Sequence, residues 1–272
     1  MSVAIVSGAS KGLGRALALV LAERGWSLVI DARGADELSA AEKDLRSHLD
    51  DKAELVALSG DVADPAHRRS LIEAARSLGG LDLLVNNAST LGGSPMPRLD
   101  VYPLEELRRV FEVNSFAPLA LLQEALPLLE SSADPRVLNV TSDASVEAYE
   151  GWGGYGSSKA ALDHLSAILA AERPGLRVWA VDPGDMRTQM HQDAFPGEDI
   201  SDRPPPESAV PGLLALIEGA HPSGRYRGSE LAPGSGGEEG GQPGGQQGGR
   251  PARQEGTEGS GKGDGEAAAD QR

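Results

Sequence analysis

Short apolar runs alternate with stretches of helical spacing along most of this chain, and that alternation constrains its fold more than any other feature. The runs fall at residues 3–7, 27–31, 54–59, 81–86, 136–141 and 176–181, rich in Val, Ile and Leu without strict two-residue alternation. Strands buried on both faces have that pattern. Between them, residues 13–24, 37–49, 65–78, 104–129 and 157–172 carry helical periodicity. Asp64 followed by Pro65 reads as an N-cap with proline at the first helical position. The order predicts right-handed βαβ units and therefore an α/β fold: a doubly wound parallel sheet of six strands with helices on both faces, three layers in all. Pro118 and Pro127 fall inside the pattern 104–129 and predict a kink or break there. Residues 185–206 contain Pro and Gly with little periodicity and predict a lid-like loop.

The chain has 272 residues, and its end differs from the rest. From position 233 on there are 14 Gly and no Val, Ile, Leu, Phe, Tyr or Trp, so nothing there offsets the entropy of ordering it. The expected organisation is one domain over residues 1–232 and a Gly-rich, disordered tail over 233–272. A domain of that length buries an ample core without disulfide or metal. The net charge of −16 repels phosphate backbones and anionic membranes and argues against nucleic acid as a partner, although an acidic protein can still hold a local basic pocket. The absence of cysteine excludes disulfide and thiol chemistry. The start, MSVAIVSGAS, has no basic segment and too short an apolar run for a signal peptide or membrane span. A cytoplasmic protein is expected. His48, His67, His164, His191 and His221 show no metal-ligand spacing, so no metal is expected.

The first run leads into Ser7-Gly8-Ala9-Ser10-Lys11-Gly12-Leu13-Gly14, where a helical pattern starts at once. Glycines at 8, 12 and 14 let the backbone turn sharply and approach an anion, and the free N–H groups of the helix start face it. That position predicts a pyrophosphate site, with a tight turn holding no ligand as the alternative. Gly8 to Gly12 also spells GxSxG, the turn that presents a nucleophilic serine, but that turn follows several strands and Ser10 follows one. In the second half Ser142 ends a run, Tyr155 follows 13 residues later, and Lys159 lies one helical turn beyond it. At i and i+4 the two share a helix face, so an ammonium near the phenol favours phenolate and makes Tyr155 a candidate general acid-base. A core tyrosine beside a surface lysine is the alternative. Ser142 can donate to a substrate oxygen where charge develops. Asn114 puts an amide on a mostly apolar helix, where it needs partners.

Taken in order, Gly8, Gly12 and Gly14, Asp61-Val62, Asn86-Asn87-Ala88, Asn114, Ser142, Tyr155-Gly156-Ser157-Ser158-Lys159 and Pro183-Gly184 resemble the short-chain dehydrogenase/reductase family over residues 1–231. The resemblance implies a Rossmann-type domain and an oxidoreductase that moves a hydride between a nicotinamide cofactor and a small carbonyl or alcohol substrate. By it, Tyr155 is the acid-base, Lys159 lowers its pKa and binds the nicotinamide ribose, and Ser142 holds the substrate oxygen. Asn114 is implied to kink its helix and support a water linked to the lysine. Gly8, Ser10, Lys11, Gly12, Leu13 and Gly14 would hold the phosphates, Asp61 and Val62 the adenine, Asn87 and Ala88 the ribose side, and Pro183, Gly184 and Thr188 the nicotinamide side. Ser89 stands where the family usually has Gly, and Ser7 where it has Thr. A homodimer or homotetramer is also implied. A dinucleotide-binding sensor or scaffold without turnover is the alternative on the same fold. After Arg225-Tyr226-Arg227-Gly228 only a weak strand signal precedes the tail, and how the sheet closes is left open.

The strand end Val29-Ile30-Asp31-Ala32-Arg33 bears on the choice of dinucleotide. Relatives that prefer NAD place a carboxylate at the position aligned with Ala32, where it accepts from the ribose 2′-OH; here it is missing. Arg33 can grip a 2′-phosphate with its planar fork, and Lys11 adds a second positive charge. The expected cofactor is NADP(H) rather than NAD(H). A shift of one residue would bring the Asp31 carboxylate to the ribose and reverse the preference. Tyr149, Trp152, Met186, Met190 and Phe195 gather near the proposed site, either as an apolar pocket or as ordinary packing under a lid. The identity of the substrate is not legible in these residues.

Overall fold

The computed structural model describes residues 2–231, and the tail expected over 233–272 lies outside them. Seven strands form one parallel sheet: β1 (Val3–Val6), β2 (Ser27–Ala32), β3 (Leu55–Ser59), β4 (Leu83–Asn86), β5 (Arg136–Val140), β6 (Arg177–Asp182) and β7 (Gly224–Arg227). Their order is β3-β2-β1-β4-β5-β6-β7. The winding therefore reverses between β1 and β4, and a crevice opens beyond the carboxyl ends of those strands. Successive side chains of a strand point to opposite faces. Val3 and Ile5 join Leu71, Leu84 and Leu121 on one side, while Ala4 and Val6 join Leu17, Leu21 and Leu213 on the other. Both faces bury a cluster, which is why the runs are apolar throughout.

Helices α1 (Gly12–Glu23), α2 (Ala35–Arg46), α3 (Pro65–Ser77), α4 (Leu104–Phe111), α5 (Ala117–Leu129), α6 (Gly153–Glu172), α7 (Gln189–Ala194), α8 (Val210–Glu218) and the short α9 (Gly228–Leu231) occupy the connections. Asp64 caps α3 as expected, its carboxylate accepting from Ala66 N at 2.8 Å with Pro65 in the first turn. The pattern 104–129 is broken. A wide i→i+5 turn, Glu112–Phe116, joins α4 to α5, and Pro118, which has no N–H to donate, sits in the first turn of α5 directly after it. Pro127 lies in the last turn of α5 and does not end it.

Three features differ from the sequence reading. A seventh strand, β7, pairs with β6 from Trp179 opposite Gly224 to Asp182 opposite Arg227; with the sequence GRYR it has no apolar run to announce it. Helix α6 begins at Gly153 rather than at residue 157, which puts Tyr155 in its first turn. The loop 185–206 is not wholly irregular, since α7 lies within it. No helix among the described residues is long and apolar enough to cross a membrane.

Candidate active site

At the carboxyl end of β1 the chain turns through Gly8 and enters α1. Gly8 has φ +68°, and a Cβ there would lie 2.9 Å from Ala88 Cα; one on Gly14 would lie 2.4 Å from Asn87 Nδ2 and 2.5 Å from Gly8 O. Only glycine fits at these two positions. Asn87 fastens the loop: its Nδ2 donates to Ser7 O at 2.8 Å and to Gly8 O at 3.0 Å, while the Ser7 hydroxyl accepts from Asn87 N and Ala88 N. No side chain caps α1, and its first turn has no carboxylate. Its leading N–H groups are thus free to face an anion. Gly8, Ser10, Lys11, Gly12, Leu13, Asn87 and Ala88 line a cleft of about 550 Å³ above this loop. Gly14 is packed beneath it.

Arg33, Asp61 and Val62 line the far end of the same cleft. Lys11 and Arg33 are exposed, and the Arg33 charge acts on Asp61 across the cleft end. Asp61 is paired with Arg109 and accepts from Ala63 N at 2.9 Å. Geometry answers the question over Asp31. Only 1% exposed, its carboxylate accepts from Gly8 N at 2.8 Å and meets His67 Nε2 at 2.9 Å. Both oxygens are engaged in tying the phosphate loop to α3.

Ser142 lies just beyond β5, and Tyr155 and Lys159 face the same cleft from α6. Tyr155 is 8% exposed and Lys159 2%. Burial pushes the phenol above its ordinary pKa; the Ser142 hydroxyl opposes this, Asp143 and Asp182 add to it, and the Ser89 hydroxyl opposes it. The Lys159 ammonium donates to Val140 O at 2.8 Å and stands 5.7 Å from the centre of the Tyr155 ring. Burial brings the lysine itself down to about 8, with Asp163 one turn on opposing it.

That buried charge has a consequence for stability. Lys159→Met is expected to be more stable to unfolding than the wild type at pH 7, by on the order of 2–3 kcal/mol. As pH rises past about 8 the folded wild type loses this proton, whereas the unfolded chain keeps it to about 10.5. Wild-type stability therefore gains over that window and the difference narrows. Denaturant melts at several pH values check this; a variant that is the weaker at pH 7 contradicts it.

The wide turn Glu112–Phe116 aims Asn114 inward. Its Oδ1 accepts from Thr90 N at 2.8 Å and Ser89 Oγ at 3.1 Å, and its Nδ2 donates to Thr90 O at 2.8 Å and Ser158 Oγ at 3.0 Å. Protein groups fill all four hydrogen-bonding positions of the side-chain amide. On the opposite wall stand Pro183, Gly184 and Thr188. Thr188 caps α7, accepting from His191 N at 3.2 Å, and its methyl lies 3.6 Å from where a Cβ on Gly12 would be.

Sequence reasoning missed the support behind Ser142. Arg225 of β7 donates from Nη2 to Ser142 O at 3.0 Å and from Nε to Asp163 Oδ2 at 3.0 Å, and Ser145 Oγ donates to the same Asp163 oxygen at 2.6 Å. No local signal could find this, because the partners lie far apart in the chain. The Asp31–His67 brace was missed for the same reason.

The short chain dehydrogenase family model matches residues 2–199. Sepiapterin reductase of Mus musculus is 34% identical over 201 residues, spanning 70% of this chain and 77% of that protein. Benzil reductase ((S)-benzoin forming) of Saccharomyces cerevisiae is 35% identical over 202 residues, spanning 70% and 74%. Among solved structures, a short chain dehydrogenase from Escherichia coli complexed with NADPH superposes with a TM-score of 0.76 at 26% identity, covering 84% of this chain and 96% of that one. Sequence likeness over more than two thirds of the chain and likeness of fold point the same way: this chain belongs to the short-chain dehydrogenase/reductase family of oxidoreductases.

Proposed function

We propose that this oxidoreductase uses NADP(H) to interconvert a carbonyl compound and its alcohol, with Tyr155 as the general acid-base. The observation that carries the reading is that one cleft holds both the glycine loop before α1 and the trio Ser142, Tyr155 and Lys159. The residues present fit a dinucleotide. An uncapped helix start faces the cleft, Gly8 and Gly14 hold the loop close, and Lys11 and Arg33 offer positive charge toward a 2′-phosphate. Bound NADPH supplies the hydride. As the carbonyl carbon takes it, Tyr155 gives its proton to the oxygen; a phenol held above its usual pKa carries that proton at neutral pH, and an alkoxide is far more basic. The Ser142 hydroxyl, which donates to Asp143 Oδ1 at 2.9 Å, turns its proton to the same oxygen as charge develops there. Lys159 holds the nicotinamide ribose and, as the nearest ammonium, draws the spent phenol toward phenolate. Asn114 positions α6 through Ser158. The relatives named sepiapterin reductase and benzil reductase support carbonyl reduction, and the NADPH-bound structure supports the cofactor.

Steady-state NADPH oxidation over a panel of aldehydes and ketones tests the reading. Turnover of at least one carbonyl is expected. A protein that binds NADPH and turns over none is a sensor or scaffold instead. The reading also takes residues 1–232 as the whole catalytic domain, with the Gly-rich stretch 233–272 dispensable, since it lacks large apolar side chains. Deleting it is expected to leave Tm and activity nearly unchanged, and a fall of many degrees would contradict that. We further assign a homodimer or homotetramer in the cytoplasm. Phe116 and Ile168, 52% and 41% exposed, leave apolar surface beside α5 and on α6 that supports assembly, and light scattering measures it.

A further inference from the structure

We infer that the substrate of this site is a neutral ketone with an aromatic ring beside the carbonyl carbon, seated against Trp152. The inference rests on the carbonyl-reductase reading above and narrows it. The Trp152 indole lines the cleft and stands edge-on to the Tyr155 phenol, with ring centres 5.8 Å apart at 75°. Phe195 supports the indole at 5.6 Å, and Tyr149 flanks it at 6.2 Å. Leu91, Met96 and Met190 belong to the same apolar cluster as Tyr155. A carbonyl oxygen must sit at the Tyr155 and Ser142 hydroxyls to be protonated and held. A substituent on the carbonyl carbon then lies against the neighbouring surface, which is the indole. Aromatic rings pack edge-to-face or offset at about 4.5–7 Å between centres, the spacing this wall already uses. The aromatic neighbours hold the indole in place, so binding does not have to order it, and Met190, which lines the cleft, adapts to the outline of a ring.

Charge narrows the class further. At this end of the cleft the carboxylates are Asp143, Asp182 and Asp185, and the cations are Lys159 and Arg187. Lys159 is turned to Val140 O, Arg187 is exposed and donates to Ser201 O at 3.3 Å, and Arg225 behind them is committed to Ser142 O and Asp163. Asp143 accepts from Ser142 Oγ at 2.9 Å and from Tyr149 OH at 2.8 Å and lies beside the reaction site. Among the described residues no cation is aimed at the substrate position, and a keto acid or a phosphorylated ketone meets net repulsion. A sugar would bury hydroxyls against indole, phenyl and thioether groups with few partners.

Three probes separate these terms: methyl benzoylformate, neutral and aromatic; methyl pyruvate, neutral and aliphatic; and benzoylformate, aromatic and anionic. With NADPH in excess, kcat/KM for methyl benzoylformate is expected to exceed that of each of the others at least about tenfold, the range a well-filled apolar pocket gives. Conjugation makes the aryl ketone the less electrophilic of the two esters, so a preference for it comes from the site. Trp152→Leu should cut the ratio of methyl benzoylformate to methyl pyruvate at least about fivefold, while Trp152→Phe, which keeps a ring, should retain most of it. Equal or better use of methyl pyruvate or benzoylformate overturns the inference, as does a ratio unmoved in Trp152→Leu. Failure of all three probes, and of every other carbonyl, overturns the carbonyl-reductase reading itself.

Discussion

Tyr155→Phe is expected to lower kcat by about 10²–10⁴-fold, the usual contribution of a positioned acid-base, while NADPH affinity stays within severalfold of wild type. The two effects separate because the phenol oxygen and the phosphate loop sit on different elements, α6 and the start of α1. The ring itself is preserved, so the contacts of Trp152, Leu91 and Ala144 around it persist and the fold is left intact. Ser142 still reaches the substrate oxygen, supported from behind by Arg225, which accounts for residual activity above background. Steady-state kinetics with a fluorescence titration of NADPH check both halves. Retention of more than about a tenth of wild-type turnover removes Tyr155 from its role.

Replacing Lys11 and Arg33 together by Ala is expected to weaken NADPH binding by roughly 2–4 kcal/mol, about 30- to 1000-fold, and to leave NADH nearly unchanged. Each charged hydrogen bond to a 2′-phosphate contributes about 1.5–3 kcal/mol, and the sum is reduced because both side chains are exposed and act on one group. The effect is selective because Lys11 and Arg33 are the cations at this end of the cleft and no carboxylate there is placed to favour the ribose 2′-OH. Ala32 carries no carboxylate, Asp31 is engaged by Gly8 and His67, and Asp61 is paired with Arg109. Glu37, which also lines this end of the cleft, disfavours the phosphate and sets a ceiling on the preference. Isothermal titrations of both cofactors on both proteins decide it. Equal losses for NADPH and NADH, or a wild type that prefers NADH, contradict the assignment.

The central strands were legible because burial on both faces demands an unbroken apolar run, as in β1, VAIV, where every residue is buried. β7 was not, since an edge strand whose residues are half-buried or exposed has no need of such a run. The start of α6 was misplaced because Gly153 and Gly154 oppose helix by propensity, yet the fold requires glycine there: a Cβ on Gly154 would lie 2.5 Å from the Tyr102 hydroxyl. The break before α5 was signalled by Pro118, and the amide of Asn114 marked the turn that it serves. Of the candidate site residues, those on a strand-to-helix turn or one helix face were found from spacing. The direction of Lys159 was not, because i, i+4 spacing brings two side chains to one face without saying which acceptor the ammonium takes. Here that acceptor is Val140 O.

The account stands most directly on hydride transfer to a carbonyl in this cleft. NADPH carrying deuterium at its transferable position, mixed with the wild-type protein and methyl benzoylformate, is predicted to give an alcohol with deuterium on the new carbinol carbon, and the Tyr155→Phe protein should give at least about a hundredfold less in the same time. Tight NADPH binding with no deuterium in any alcohol product, or equal product from the two proteins, would contradict it.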